Sequence, residues 1–235
     1  MHVSGIVPAA GGGTRMAAGL PKQYLPLGGM PLLARTLQAL RASGCLDSLI
    51  LVVRPSHEER CRREILDPFG IPVDAVVPGG ADRQASVYAG LLHTCPKTDL
   101  ILVHDGARPF VTPGMVRAAV TAAAEFGGAV VAVPVTDTIK AADRDGWLTG
   151  TPERGSLWAA QTPQVFRAAL FREAHARALR EGFRTTDDSA LVERLRHPVR
   201  LVRGSPGNLK ITTAADLLLA DHIWRAGETA AGSVG

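Results

Sequence analysis

Apolar residues in this chain come in short uninterrupted runs, and that limits its possible folds more than any other feature. Leu49-Ile50-Leu51-Val52-Val53, Leu100-Ile101-Leu102-Val103 and Ala129 to Val133 have no polar face. A strand apolar on both faces must be covered on both, as in a parallel sheet with helices above and below. Helical spacing fills the intervals. Leucines recur at 32, 33, 37 and 40 within Pro31 to Ala42, with Pro31 suited to the first turn and Gly44 to the stop. Pro113 to Phe126 and Ala168 to Glu181 also read as helices. Ile6-Val7, Val73 to Val77 and Val199 to Val202 add strands, and Asn208 to Ile211 is strand-like. Ser56 with Glu59 reads as a capping box, Asp187-Asp188 as the cap of a helix through Leu195, and Thr212 or Thr213 as the cap of a last helix ending near Trp224. The alternation predicts an α/β fold built on a doubly wound, mostly parallel sheet.

With 235 residues, 46% of them hydrophobic, the chain can bury one full core. We expect a single domain over 1–227 and a frayed tail over 228–235. The alternation breaks only between 134 and 160. There Asp145-Gly146, between Thr138-Ile139-Lys140 and Trp147-Leu148-Thr149, signals a β-hairpin arm. Trp147 and Trp158 give this arm apolar surface to cover. It either folds back on its own domain or packs on a partner subunit, and spacing leaves both readings open.

The net charge of +4 comes from Lys and Arg scattered among Asp and Glu, which does not suit nucleic-acid binding. Cys45, Cys61 and Cys95 lie far apart without zinc-ligand spacing, so reduced thiols are expected. Neither a signal peptide nor a membrane-length apolar run is visible, and a cytoplasmic protein is the expectation.

In doubly wound sheets ligands collect outside the carboxyl ends of the strands. The stretch after the first strand reads IVPAAGGGTRMAAGLPKQ, from Ile6 to Gln23. Glycines at 11, 12 and 13 let backbone N–H groups approach a ligand and form an anion nest, and Arg15 and Lys22 add positive charge. The spacing fits neither the P-loop nor the dinucleotide fingerprint. At other strand ends stand Gly79-Gly80-Ala81-Asp82-Arg83, with Ser86 at a helix start, and His104-Asp105-Gly106-Ala107-Arg108. With Asp137, Thr138, Lys140 and Lys210 this set is rich in cations and carboxylates but lacks a nucleophile–base pair. Such a set suits phosphoryl-type chemistry, in which positioning and charge stabilisation dominate. Taken singly, Asp82 also reads as an N-cap, Asp105 as a turn cap, Arg108 as a structural ion pair, and His104 as a packing or loop hydrogen-bonding residue rather than a base.

The glycine stretch resembles the signature of the sugar-nucleotide pyrophosphorylases, A-A-G-x-G-x-R-M followed by P-K. Pro8 to Gln23, Gly79 to Ser86, Val103 to Pro109, Val135 to Lys140 and Leu157 to Phe166, with a weaker match at Gly207 to Thr212, resemble the 2-C-methyl-D-erythritol 4-phosphate cytidylyltransferase family. That resemblance implies a Rossmann-like nucleotidyltransferase fold and transfer from CTP to a polyol phosphate, with Mg²⁺ and release of pyrophosphate. It implies nucleotide contacts at Pro8, Ala9, Ala10, Gly11, Gly13, Gly80, Asp82, Ser86 and Asp105, with Asp105 also near the metal. Arg15 and Lys22 match the positions that stabilise the transition state. Arg108, Thr138 and Lys210 match positions around the polyol phosphate. Arg154 and Thr162 match positions contributed by the partner's arm, implying a homodimer. Gly106 departs from the alanine common in the family, which we expect to alter loop flexibility more than chemistry. Ribitol-5-phosphate cytidylyltransferase, guanylyl- and uridylyltransferases of the wider superfamily, and a non-catalytic nucleotide-binding regulator are the alternatives.

Overall fold

The computed structural model describes residues 1–11 and 21–232, with side chains described to 227 in the last helix. The first strand, β1 (Val3–Pro8), is an interior strand of a seven-stranded sheet. Next come a one-turn 3₁₀ segment at Lys22–Tyr24, the small hairpin β2 (Pro26–Leu27) and β3 (Met30–Pro31), and helix α1 (Leu32–Arg41). Strand β4 (Ser48–Val53), the short helix α2 (Glu58–Cys61), strand β5 (Ala75–Pro78), helix α3 (Arg83–Leu91) and strand β6 (Leu100–Val103) continue the alternation. Helix α4 (Pro113–Phe126) precedes β7 (Gly128–Pro134), which leads into an arm carrying β8 (Ala141–Ala142) and β9 (Leu148–Gly150). The chain returns through β10 (Trp158–Arg167), α5 (Ala168–Glu181), α6 (Ser189–Glu193), β11 (Arg200–Arg203) and α7 (Ala214–Gly232).

The sheet order is β11-β7-β10-β6-β1-β4-β5. All its strands are parallel except β10, which runs antiparallel to both β6 and β7. Successive residues of each apolar run face opposite sides. Leu49, Leu51 and Val53 pack against α1 and α4, with Leu33, Leu37, Val116 and Ala119. Ile50, Val52 and Val103 pack against α3, α5 and α6, with Val87, Phe171 and Leu191. This two-sided burial is why the runs carry no polar face. A third, smaller cluster gathers Leu27, Leu32, Ala107, Ile211 and Ala220 beside the strand ends. Strands β4 and β5 lie on one side of β1 and β6 on the other, so the order reverses at the carboxyl end of β1. A crevice opens at that switch point.

Several local expectations are corrected. Ser56 does not cap α2: it sits at φ +68°, whereas an N-cap needs extended backbone, and His57 takes the capping position without a side-chain bond. Asp188 precedes α6 but gives its side chain to Arg83 instead of the helix. Asn208 to Ile211 is no strand, because it crosses the strand ends; its backbone bonds run from Asn208 N to Ser205 O and from Ile211 N to Ala107 O. The hairpin pairs Ala141–Ala142 with Leu148–Gly150 across a wider turn, because the Asp143 carboxylate accepts from the N–H groups of Asp145 and Trp147. Helix α7 runs on to Gly232, past the expected stop near Trp224 and into the expected tail; alanine-rich residues carry it across Gly227. Of the two threonines expected to cap α7, Thr213 does so, its Oγ1 accepting from Asp216 N at 3.2 Å, while the Asp216 carboxylate accepts in return from Thr212 N and Thr213 N.

Candidate active site

The crevice has a volume of about 580 Å³ and is lined by residues from five chain segments. Pro8, Ala9, Ala10 and Gly11 come from the end of β1, and Lys22 from the 3₁₀ turn. Gly80, Ala81, Asp82, Arg83 and Ser86 come from the β5–α3 junction, Asp105 to Ala107 from the end of β6, and Lys210 and Thr212 from the segment before α7. The structure thus brings most of the expected site residues together. Gly13 and Arg15 lie outside the described residues.

Asp105 is the charge centre. Its Oδ1 accepts from Arg83 Nε at 3.0 Å, Lys210 Nζ lies 2.7 Å from its Oδ2, and Arg108 Nε approaches to 3.9 Å. Burial alone raises a carboxyl pKa, but Arg83 and Lys210 outweigh it and hold Asp105 well below the usual range. The group is therefore ionised at neutral pH. Arg83 bridges onward to the buried Asp188, 2.7 Å away. From sequence alone Arg83 stands at a strand end without a role and Asp188 reads as a cap, since nothing local shows which partner an aspartate will choose. Lys22 Nζ donates to Ile211 O at 3.1 Å, and the buried Gln23 donates to Ala9 O at 2.7 Å, tying the 3₁₀ turn to the end of β1. Among the described residues that line the crevice, Lys22, Arg83 and Lys210 outnumber Asp82 and Asp105, which suits an anionic ligand.

Asp82 is an N-cap, as the sequence allowed: Oδ1 accepts from Ala85 N at 2.7 Å, and Oδ2 pairs with Arg184 at 3.1 Å. Ser86 Oγ donates to Asp82 O and accepts from Gly80 N, which closes the turn at the mouth of α3. At Gly106 a Cβ would lie 3.0 Å from Leu33 Cδ1 and 3.2 Å from Ala9 Cβ, so an alanine there needs those side chains to give by a few tenths of an ångström.

Four expected substrate residues lie elsewhere. Arg108 is buried beneath the crevice, donating to Asn208 O at 2.7 Å. Thr138 and Arg154 are exposed on the arm, where Arg154 donates to Thr136 O. Thr162 is not an arm residue: it lies in β10, an interior strand of its own sheet, 3% exposed and bonded to Asp105 N and the His104 ring. His104 is fully buried, and that burial pushes its pKa down to about 4. It is neutral at physiological pH and out of solvent's reach, with both ring nitrogens in hydrogen bonds to Arg108 O and Thr162 Oγ1, a loop hydrogen-bonding residue rather than a base.

Every residue from 136 to 156 is exposed, so the arm does not fold back on its own domain. Among the described residues, no three His, Cys, Asp or Glu side chains converge as a metal cage. No described helix is long and apolar enough to cross a membrane.

Residues 3–226 match the model of the IspD family, 2-C-methyl-D-erythritol 4-phosphate cytidylyltransferase. The chain belongs to this family. It is 46% identical over 225 residues to the cytidylyltransferase of that name from Pelotomaculum thermopropionicum, covering 95% of this chain and 94% of the relative. It is 47% identical to the one from Geobacter metallireducens, over 94% of this chain and 97% of the relative. Among solved structures, 4-diphosphocytidyl-2C-methyl-D-erythritol synthase from Anaerococcus prevotii superposes with a TM-score of 0.84 at 30% identity, covering 95% of this chain and 98% of the other. The Thermus thermophilus cytidylyltransferase does so at 0.78 and 38%, covering 96% and 100%. These likenesses cover nearly the whole chain and match its mostly parallel α/β nucleotidyltransferase fold.

Proposed function

We propose that this chain transfers the cytidylyl group of CTP to 2-C-methyl-D-erythritol 4-phosphate, releasing pyrophosphate. The observation that carries this reading is the cationic crevice at the β1 switch point, in a chain that matches the cytidylyltransferase family from end to end.

The triphosphate lies along the backbone of Ala9 to Gly11, with the base toward Gly80, Asp82 and Ser86. A phosphate oxygen of the polyol attacks the α-phosphorus in line. The new P–O bond forms as the bond to the β-phosphate oxygen breaks, and pyrophosphate carries off the electron pair. Lys22 and Arg15 stabilise the charge that builds on the α-phosphoryl and bridging oxygens. Lys210 and Arg83 hold Asp105 ionised at the floor. Mg²⁺ is commonly held by one or two carboxylates together with substrate phosphates, and a single ionised Asp105 facing a polyphosphate crevice fits that pattern. When bound, the ion would neutralise charge on the triphosphate. In the assembled enzyme, Thr138 and Arg154 meet the polyol phosphate from the arm of a second subunit. The exposed Trp147 and Leu148 support that reading, because an uncovered apolar arm calls for a partner.

Pyrophosphate release tests the base preference. With Mg²⁺ and methylerythritol phosphate, CTP should outperform UTP and GTP by at least about 100-fold, since unpaired polar groups in a site built to read one base are costly. Equal rates with all three would overturn the cytidine assignment.

A further inference from the structure

A closed ring of buried hydrogen bonds lies under the reactive face of the crevice. The Arg108 carbonyl can only accept, so His104 Nε2, 3.0 Å away, carries the ring proton and donates to it. His104 Nδ1 is then an acceptor and takes the Thr162 hydroxyl proton at 3.0 Å. The same hydroxyl oxygen accepts from the backbone N–H of Asp105 at 3.0 Å. Arg108 donates onward to Asn208 O at 2.7 Å, and Asn208 Nδ2 returns to Thr162 O at 2.9 Å, which closes the ring. His104 and Asn208 are 0% exposed and Thr162 is 3% exposed.

The ring joins three segments distant in sequence: the loop after β6, the irregular middle of β10 and the turn before α7. Asp105 and Lys210 project from the first and the last of these, and they meet at 2.7 Å in the crevice. We infer that His104, Thr162 and Asn208 are positioning residues, a frame that fixes where Asp105 and Lys210 stand relative to the reacting phosphates. None of the three lines the crevice. They act through the two residues that do. This rests on the cytidylyl-transfer reading above. It also gives Thr162 a different task from the substrate contact that resemblance implies.

Misplacing a catalytic group by about 1 Å costs on the order of 100-fold in rate. Thr162→Val removes the hydroxyl and should lower kcat by roughly 10- to 100-fold, with the CTP Kd within about 3-fold of native. Thr162→Ser keeps the hydroxyl and should restore most of the turnover. At the other end, His104→Asn keeps an acceptor near Nδ1 and should retain more activity than His104→Gln, which reaches only toward the Arg108 carbonyl. Thermal melting of each protein reports folding. Should Thr162→Val fail to fold, the contrast between His104→Asn and His104→Gln decides the same point. Native kcat in folded Thr162→Val, or the same kcat in both His104 variants, would overturn the inference while leaving the enzyme's activity established. A native protein inactive with CTP and methylerythritol phosphate would instead overturn the functional reading itself.

Discussion

At the scale of single residues, Asp105 shows how one side chain can organise a site. It is buried, ionised and surrounded by cations from three segments, which converts a folding cost into a fixed arrangement of charge. Lys22 has a different place, on the crevice wall with its ammonium near Ile211 O. If it acts on charge that develops only in the transition state, Lys22→Ala should cut kcat by about 100- to 1,000-fold and leave the CTP Kd within a few-fold. Single-turnover rates and calorimetric binding measure both; a matched loss of affinity and rate would make it a ground-state contact. The types and loop positions of these residues were readable from sequence, because cations and glycines at strand ends have few structural uses. The pairings were not. Arg83 with Asp188, and Thr162 with Asp105, depend on which distant segments the sheet brings together. His175 makes a separate point. It lies between Tyr88 and Phe171, and burial pushes its pKa down to about 4, with Arg83 adding to the effect. A group with a depressed folded pKa gives stability that is full above its unfolded value near 6.5 and is lost as pH falls through about 4. His175→Phe should therefore remove roughly 2–4 kcal/mol of the stability lost between those pH values. Denaturant titrations at pH 7 and pH 4 check this, and an unchanged pH dependence would show that the imidazole does not resist protonation.

Among the elements, the parallel strands and long helices follow from uninterrupted apolar runs and leucine spacing, while β10 does not. Its middle reads Gln161-Thr162-Pro163-Gln164, and proline argues against a central strand. The structure accommodates it where the β7 pairing shifts register, between Ala160 and Gln164, so the proline falls in the irregularity. That same irregularity turns Gln161 and Thr162 toward Asn208. Helix α7 likewise depends on a contact invisible to local pattern. Trp224 packs on Gly28, whose φ is +57°, and Arg35 lies 3.9 Å over the indole. A Cβ at Gly28 would fall 2.2 Å from Trp224 Nε1. Gly28→Ala should cost about 2–5 kcal/mol from backbone strain and overpacking together. The small cluster of Leu27, Leu32 and Ile211 adjoins Lys22 and Lys210, so turnover should fall as well. Thermal melting and kcat measured on the same preparation check both; a native melting temperature would mean that α7 can move aside without loss.

For the molecule as a whole, the arm is the feature that stands apart from the crevice of its own chain. Trp147 is 75% exposed and Leu148 69% exposed, and the arm residues expected to meet substrate lie outside the crevice of their own chain. If the arm of one subunit serves the site of another, inactive Arg154→Ala and inactive Lys22→Ala proteins should regain activity when mixed. Some mixed-dimer sites then carry neither lesion, and recovery should approach roughly a quarter of native activity per dimer site at random exchange. Confirmed mixed dimers without recovery would mean that each site is built within one chain. The central claim concerns the acceptor. Purified protein with CTP and Mg²⁺ should be given methylerythritol phosphate and ribitol 5-phosphate separately, following pyrophosphate release and the cytidine diphosphate polyol formed. Release with methylerythritol phosphate alone is the expected result. Release with ribitol phosphate alone would contradict the account, keeping the fold and the cytidine site but reassigning the reaction.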